Sequence, residues 1–355
     1  MNTRNTVLGG LAAGAIVAGA AAGLGVALLG RLAFKQLQRW REDDDLLGKT
    51  VLITGGSRGL GLALAEEFAR SGCKVVICAR KEEELQRARQ QLEDMGAEVR
   101  AIVCDLTRPG DIERMIRTAR EEFGSIDVLV NNAGIISVGP LLSQTVEDFQ
   151  ESMNVIFWGT VHPTLAVLPE MIQRGTGRIV NITSIGGKVS LPHLLPYNCA
   201  KFAAVGFSEG LHAEVGKFGV HVLTVAPGLM RTGSHINASF KGQQKQEYGW
   251  FALAGTNPAL SVSARSAARQ IVSATRRRQT ELIVGWQAKL LAGIHGVAPG
   301  LTTEALAMVN RLMPAANGVG EKKTGQESES VLTRSPLTAL GRSAARRYNQ
   351  VRVKA

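Results

Sequence analysis

At 355 residues with 45% hydrophobic side chains, the chain can bury the core of one large α/β domain with extensions. An aromatic content of 5% set against 40 glycines argues against an aromatic-rich sandwich. The net charge of +11 is uneven, with eight Lys or Arg against three Glu over residues 321–355, but no aromatic interleaving or zinc-ligand spacing points to nucleic acid.

Residues 6–30 carry no charged side chain and are mostly Ala, Gly, Leu and Val. Twenty-five residues at about 1.5 Å each span the roughly 30 Å hydrocarbon core. A cleavable signal peptide is the rival, but only Arg4 precedes the run, and the run is longer than a usual signal core. Residues 1–34 are therefore expected to be a single-pass transmembrane helix, with membrane lipid as a partner. Arg31, Lys35, Arg39 and Arg41 follow the run, which keeps the downstream domain on the cytoplasmic side. The acidic stretch 42–45 marks a linker, 35–47, into the folded domain.

Over residues 48–285 strand and helix patterns alternate. "TVLIT" reads as a buried strand, "GGSRGLG" as a glycine-rich turn, and the next helix groups Leu60, Leu64 and Phe68 on one face. Strand "KVVICAR", a charged helix over 82–95, strand "EVRAIVCDL", a helix over 111–123 and strand "IDVLVNNAG" follow. This alternation predicts an α/β, Rossmann-type, doubly wound parallel sheet forming a single catalytic domain, with the site at the strands' carboxyl ends. Cys78 and Cys104 fall in its apolar runs, and with Cys73 and Cys199 they show no metal-ligand spacing; no metal and a reducing compartment are expected. Residues 286–355 form a C-terminal extension. It holds a helix over 302–313, capped by Thr302 or Thr303, that lies on the core or on a membrane surface. A flexible linker over 315–335 and a basic tail follow it.

Gly55, Gly59 and Gly61 lie between the first strand and helix, where a backbone without side chains can approach a pyrophosphate and the helix presents its positive end. Tyr197 and Lys201, at i and i+4, share a helical face. With these in place the sequence resembles the short-chain dehydrogenase/reductase family. "TGGSRGLG" (54–61) is like its cofactor loop, and "NNAG" (131–134) is like the motif after its fourth strand. Asn154, Ser184, "YNCAK" (197–201) and "PGLMRT" (227–232) arrive in family order, with Ser184 thirteen residues before Tyr197. The resemblance covers residues 48–285.

The resemblance implies proton transfer by Tyr197 to or from a carbonyl oxygen that Ser184 hydrogen-bonds, and a Lys201 that holds the nicotinamide ribose. Asn154 would keep a relay water. A nearby ammonium is expected to lower the phenol's pKa. The implied cofactor contacts are Gly55, Ser57, Arg58, Gly59, Leu60, Gly61, Arg80, Asp105, Leu106, Asn132, Ala133, Gly134, Pro227, Gly228 and Thr232, besides Tyr197 and Lys201. "NNAG" serves equally well as strand support, and Asp105 as a helix cap. An acidic ribose ligand is absent after the second strand, where Ala79 and Arg80 stand. Arg58 and Arg80 suit a 2′-phosphate, so NADP(H) is preferred over NAD(H). Largely apolar segments after Ser184 and Pro227 point to a hydrophobic ketone, aldehyde or alcohol, with His193 in the pocket wall. A homo-oligomer is left open. The competing reading is a non-catalytic nucleotide-binding scaffold at a membrane.

Overall fold

Runs of Val, Ile and Leu, buried on both faces, make the strands of one parallel sheet, as expected where helices cover both sides. The computed structural model describes residues 46–316 and 320–351. The expected anchor, with all but the last two residues of its linker, lies outside the described residues. Residues 46–355 form one compact unit.

In chain order the main elements are β1 (Thr50–Thr54), α1 (Gly59–Arg70), β2 (Lys74–Ala79), α2 (Glu82–Glu93), β3 (Val99–Val103), α3 (Pro109–Phe123), β4 (Val128–Asn131) and α4 (Val146–Arg174). β5 (Gly177–Ile182), α5 (Leu195–Val215), β6 (Val220–Pro227), α6 (Gln244–Thr256), α7 (Ala264–Arg276) and β7 (Glu281–Val284) complete the layered part. The strand order is β7-β6-β5-β4-β1-β2-β3, with every pair parallel. The order reverses beside β1, so the carboxyl ends of β1 and β4 open the crevice where such sheets hold ligands. Leu60, Leu64 and Phe68 of α1 pack with Leu85 and Ile271 on one face, and Met115, Ile116, Val167 and Met171 pack on the other. α4 is the one helix among the described residues long and apolar enough to cross a membrane, but much of its apolar window is buried inside the domain.

The extension departs from expectation in two places. Its second helix, α9 (Pro299–Asn310), follows α8 (Trp286–Val297) and starts at Pro299 instead of at a threonine cap. Proline's fixed φ and missing N–H suit a first helical turn, and Thr302 and Thr303 bond back to the Pro299 carbonyl, both at 2.9 Å. The stretch expected as a flexible linker is, over its described residues 320–335, folded onto the domain. Lys323–Thr324 pairs antiparallel with Ser239–Phe240, which in turn pairs with Ser137–Val138. Gly325 sits where a Cβ would come within 2.1 Å of the His235 carbonyl. Polar residues that looked unable to bury anything satisfy one another: Glu327 accepts from the Thr324 N–H and hydroxyl, and Thr333 accepts from the Ser330 N–H. α10 (Ala339–Arg347) then returns the chain to the sheet's carboxyl edge.

Candidate active site

The loop after β1 is shaped by what glycine lacks. At Gly61 a Cβ would lie 2.1 Å from the Gly55 carbonyl oxygen, so α1 can start this close to β1 only without a side chain there. Gly59 has φ +59°, in the left-handed region. The Thr54 hydroxyl accepts from the Asn132 and Ala133 N–H groups (3.0 and 3.1 Å), and the Asn132 amide donates to the Thr54 and Gly55 carbonyls (3.0 and 3.1 Å). "NNAG" therefore braces the loop, and Asn132, Ala133 and Gly134 also line the adjoining cavity.

That cavity, about 610 Å³, runs from Arg80, Asp105 and Thr107 past the glycine loop to Tyr197 and Lys201. Of the sequence-predicted residues it brings together Gly55, Ser57, Arg58, Gly59, Leu60, Gly61, Arg80, Asp105, Leu106, Asn132, Ala133, Gly134, Tyr197, Lys201 and Thr232. Ser184, Asn154, Pro227 and Gly228 are not among its lining residues. Ser184 instead bears on the site through the Tyr197 hydroxyl, which it stabilises in its ionised form. Its own Oγ accepts from the Gly186 N–H (3.0 Å), which fixes it at the start of the turn after β5. Pro227 closes β6, and the Gly228 N–H donates to the Val284 carbonyl (2.9 Å), anchoring the strand that leads to Thr232.

The cavity does not gather Asn154. α4 is π-wound over Met153–Trp158, and Asn154 is exposed there, with its neighbour Val155 in the cavity lining. Ile156, two residues on and roughly opposite on the helix, turns inward under Gly134 and packs with Ala200 and Ala204 beside Tyr197.

The electrostatics of Tyr197 also differ from expectation. Burial raises its pKa, and the Ser184 hydrogen bond opposes this without reversing it. The lowering expected from Lys201 does not prevail over burial; the lysine, itself brought down to about 8 by burial, donates from Nζ to the Ile182 carbonyl (2.8 Å), 5.7 Å from the Tyr197 ring centre. Asp105 lies low because Thr107 donates to it from both N–H and hydroxyl (3.0 and 2.8 Å), outweighing its burial. Asp105 thus holds its turn and also lines the cavity. His193, expected in the pocket wall, is buried but does not line this cavity; its Nδ1 lies 2.8 Å from Glu247, which also accepts from Trp250.

Arg58 is half-buried beside Arg80; burial lowers its pKa, and Glu84, 3.5 Å away, raises it. Its Nη1 is paired with Glu84 at that distance without a hydrogen bond. Two neighbouring guanidinium groups above a glycine loop at a helix start fit the adenosine end of a nicotinamide dinucleotide. Sequence reasoning missed Gln350, which lines the same cavity from almost three hundred residues downstream and belongs to no motif.

The pattern matches other proteins. The family model described as short chain dehydrogenase matches residues 49–242. A dehydrogenase/reductase SDR family protein 7-like protein of Anopheles gambiae is 40% identical over 57% of this chain and 65% of its own length. Its Drosophila melanogaster counterpart is 32% identical over 75% of this chain and 81% of its own. A short-chain dehydrogenase structure from Streptomyces avermitilis aligns with TM-score 0.65 and 30% identity, over 74% of this chain and 97% of that one. A variant of actinorhodin polyketide ketoreductase solved with NADPH aligns with TM-score 0.60 and 29% identity, over 66% and 95%.

Proposed function

The chain belongs to the short-chain dehydrogenase family, and from that premise we propose an NADPH-preferring oxidoreductase that reduces a hydrophobic ketone or aldehyde to its alcohol. The observation that carries the reading is a glycine-loop cavity with Tyr197 and Lys201, one helical turn apart, together in its lining. When bound, the dinucleotide supplies the hydride. Arg58 and Arg80 would hold its 2′-phosphate, and the glycine loop its pyrophosphate. Tyr197, kept protonated at neutral pH by burial, is placed to donate its proton to the substrate oxygen. Ser184 would hold that oxygen and stabilise the charge gathering on it. Leu191, Leu194, Trp250 and Phe251, clustered beside Tyr197, support an apolar substrate. A second copy of the chain is a proposed partner, because Trp158, Leu165 and Phe202 leave apolar surface exposed on α4 and α5.

NADPH oxidation over a panel of lipophilic carbonyls tests this directly. Tyr197→Phe should lower the rate about 10²–10⁴-fold with NADPH affinity unchanged. Replacing Arg58 and Arg80 with Ala should weaken NADPH far more than NADH. Normal turnover by Tyr197→Phe would favour a nucleotide-binding scaffold, and equal loss of both cofactors would end the 2′-phosphate assignment.

A further inference from the structure

The end of the chain is built into the cofactor cleft by a series of specific contacts. Ala345 of α10 fills the space over Gly233, where a Cβ would come within 2.4 Å of its Cα. Arg347 pairs at 2.9 Å with Glu66 of α1, a carboxylate side chain only 3% exposed that also accepts from Gln91 and Arg70. The Tyr348 carbonyl accepts from the Gly59 N–H (2.9 Å), one of the N–H groups a helix start leaves without an internal partner. Asn349 takes φ +54°, which asparagine tolerates, and its amide donates to the Ser57 and Glu84 carbonyls (2.9 and 2.8 Å) while accepting from Arg87 (2.9 Å).

This turn sets Gln350 in the cavity wall with 8% of its surface exposed. Asn237 donates to both its backbone carbonyl (2.8 Å) and its Oε1 (2.7 Å), so the acceptor end of the side-chain amide is already used. The donor end, Nε2, stands 2.6 Å from where a Cβ on Gly59 would be. Among the described residues no acceptor faces it.

We propose that Gln350 holds the dinucleotide: its Nε2 donates to the cofactor pyrophosphate over the glycine loop, making the C-terminal tail a wall of the cofactor site. The proposal rests on the oxidoreductase reading above. A fixed amide donor beside a helix start matches a pyrophosphate oxygen, which only accepts. The cavity continues past the tail from Arg80 to Tyr197, so the tail borders the site instead of filling it. Because NADPH and NADH share the pyrophosphate, Gln350 contributes to affinity for both, whereas Arg58 and Arg80 separate them.

Calorimetric titration of the full-length protein in detergent, without substrate, tests the assignment using NADPH, NADH and adenosine 2′-monophosphate. Gln350→Ala should weaken both dinucleotides about tenfold, the loss of one hydrogen bond to a charged group. It should leave the monophosphate, which has no pyrophosphate, unchanged. Gln350→Glu, of the same shape but with an anion in that place, should weaken the dinucleotides further. The ligand-free melting temperature of each variant, equal to wild type, separates this from unfolding. Unchanged or tighter dinucleotide binding by Gln350→Ala, or an equal loss for the monophosphate, would overturn the proposal. Wild-type protein that binds neither dinucleotide would overturn the oxidoreductase reading with it.

Discussion

Lys201 carries its ammonium 5% exposed, with the Ile182 carbonyl as its hydrogen-bond acceptor and no carboxylate among its contacts. Its pKa of about 8 in the folded protein lies below the ordinary lysine value, so below pH 8 folding must bury a charge that the unfolded chain leaves in water. Between about pH 8 and 10 the unfolded chain binds more protons than the folded one, and stability should rise with pH. The gain should approach about 3 kcal/mol, the free-energy equivalent of that pKa difference. Denaturant unfolding of the ligand-free protein at pH 7.5, 8.5 and 9.5 measures it, and Lys201→Met should flatten the slope. A wild-type slope that survives this substitution would assign the titration elsewhere. The pairing of Tyr197 with Lys201 was legible in five letters, because an i,i+4 spacing states which helical face two residues share. The direction of the tyrosine's pKa was not. It depends on how much protein covers the phenol, and residues from several distant segments decide that.

At the scale of elements, α4 shows where motif and phase part company. A π-wound turn shifts the helical register, so a residue matched by letter need not face the site. Asn154→Ala, on the exposed side, should therefore change kcat less than twofold and stability by under about 0.5 kcal/mol. Steady-state kinetics would detect the roughly hundredfold or greater loss expected had Asn154 belonged to the proton relay. The parallel sheet was readable because each strand is a short apolar run bounded by turns and followed by a periodic helix. The ordering of 320–335 was not readable, since its stability comes from side chains that cap their own turns, such as Glu327 on Thr324, and composition is blind to such pairing.

For the whole molecule, α8 and α9 turn large apolar residues to solvent: Val297 is 89% exposed and Leu301 68%, with Trp286, Leu290 and Met308 also exposed. Surface of this kind suits a lipid interface, and it gives the membrane anchor expected of residues 6–30 a second attachment to be tested beside it. Protein starting at residue 43 should leave the carbonate-resistant fraction yet still float with anionic vesicles, and Val297→Asp with Leu301→Asp should abolish flotation. Carbonate-resistant binding by the shortened protein would place the anchor elsewhere. The hydrogen bond from the Gly59 N–H to the Tyr348 carbonyl has a consequence in time. Gly59 leaves the ribosome almost three hundred residues before Tyr348. At about 5–20 residues per second, translation separates them by roughly fifteen seconds to a minute. Throughout that interval the sheet around the loop can assemble while its last hydrogen-bond partner does not yet exist. A chain interrupted before Tyr348 would thus keep its parallel sheet and leave its nucleotide loop unfinished, a defect invisible to any assay of solubility alone.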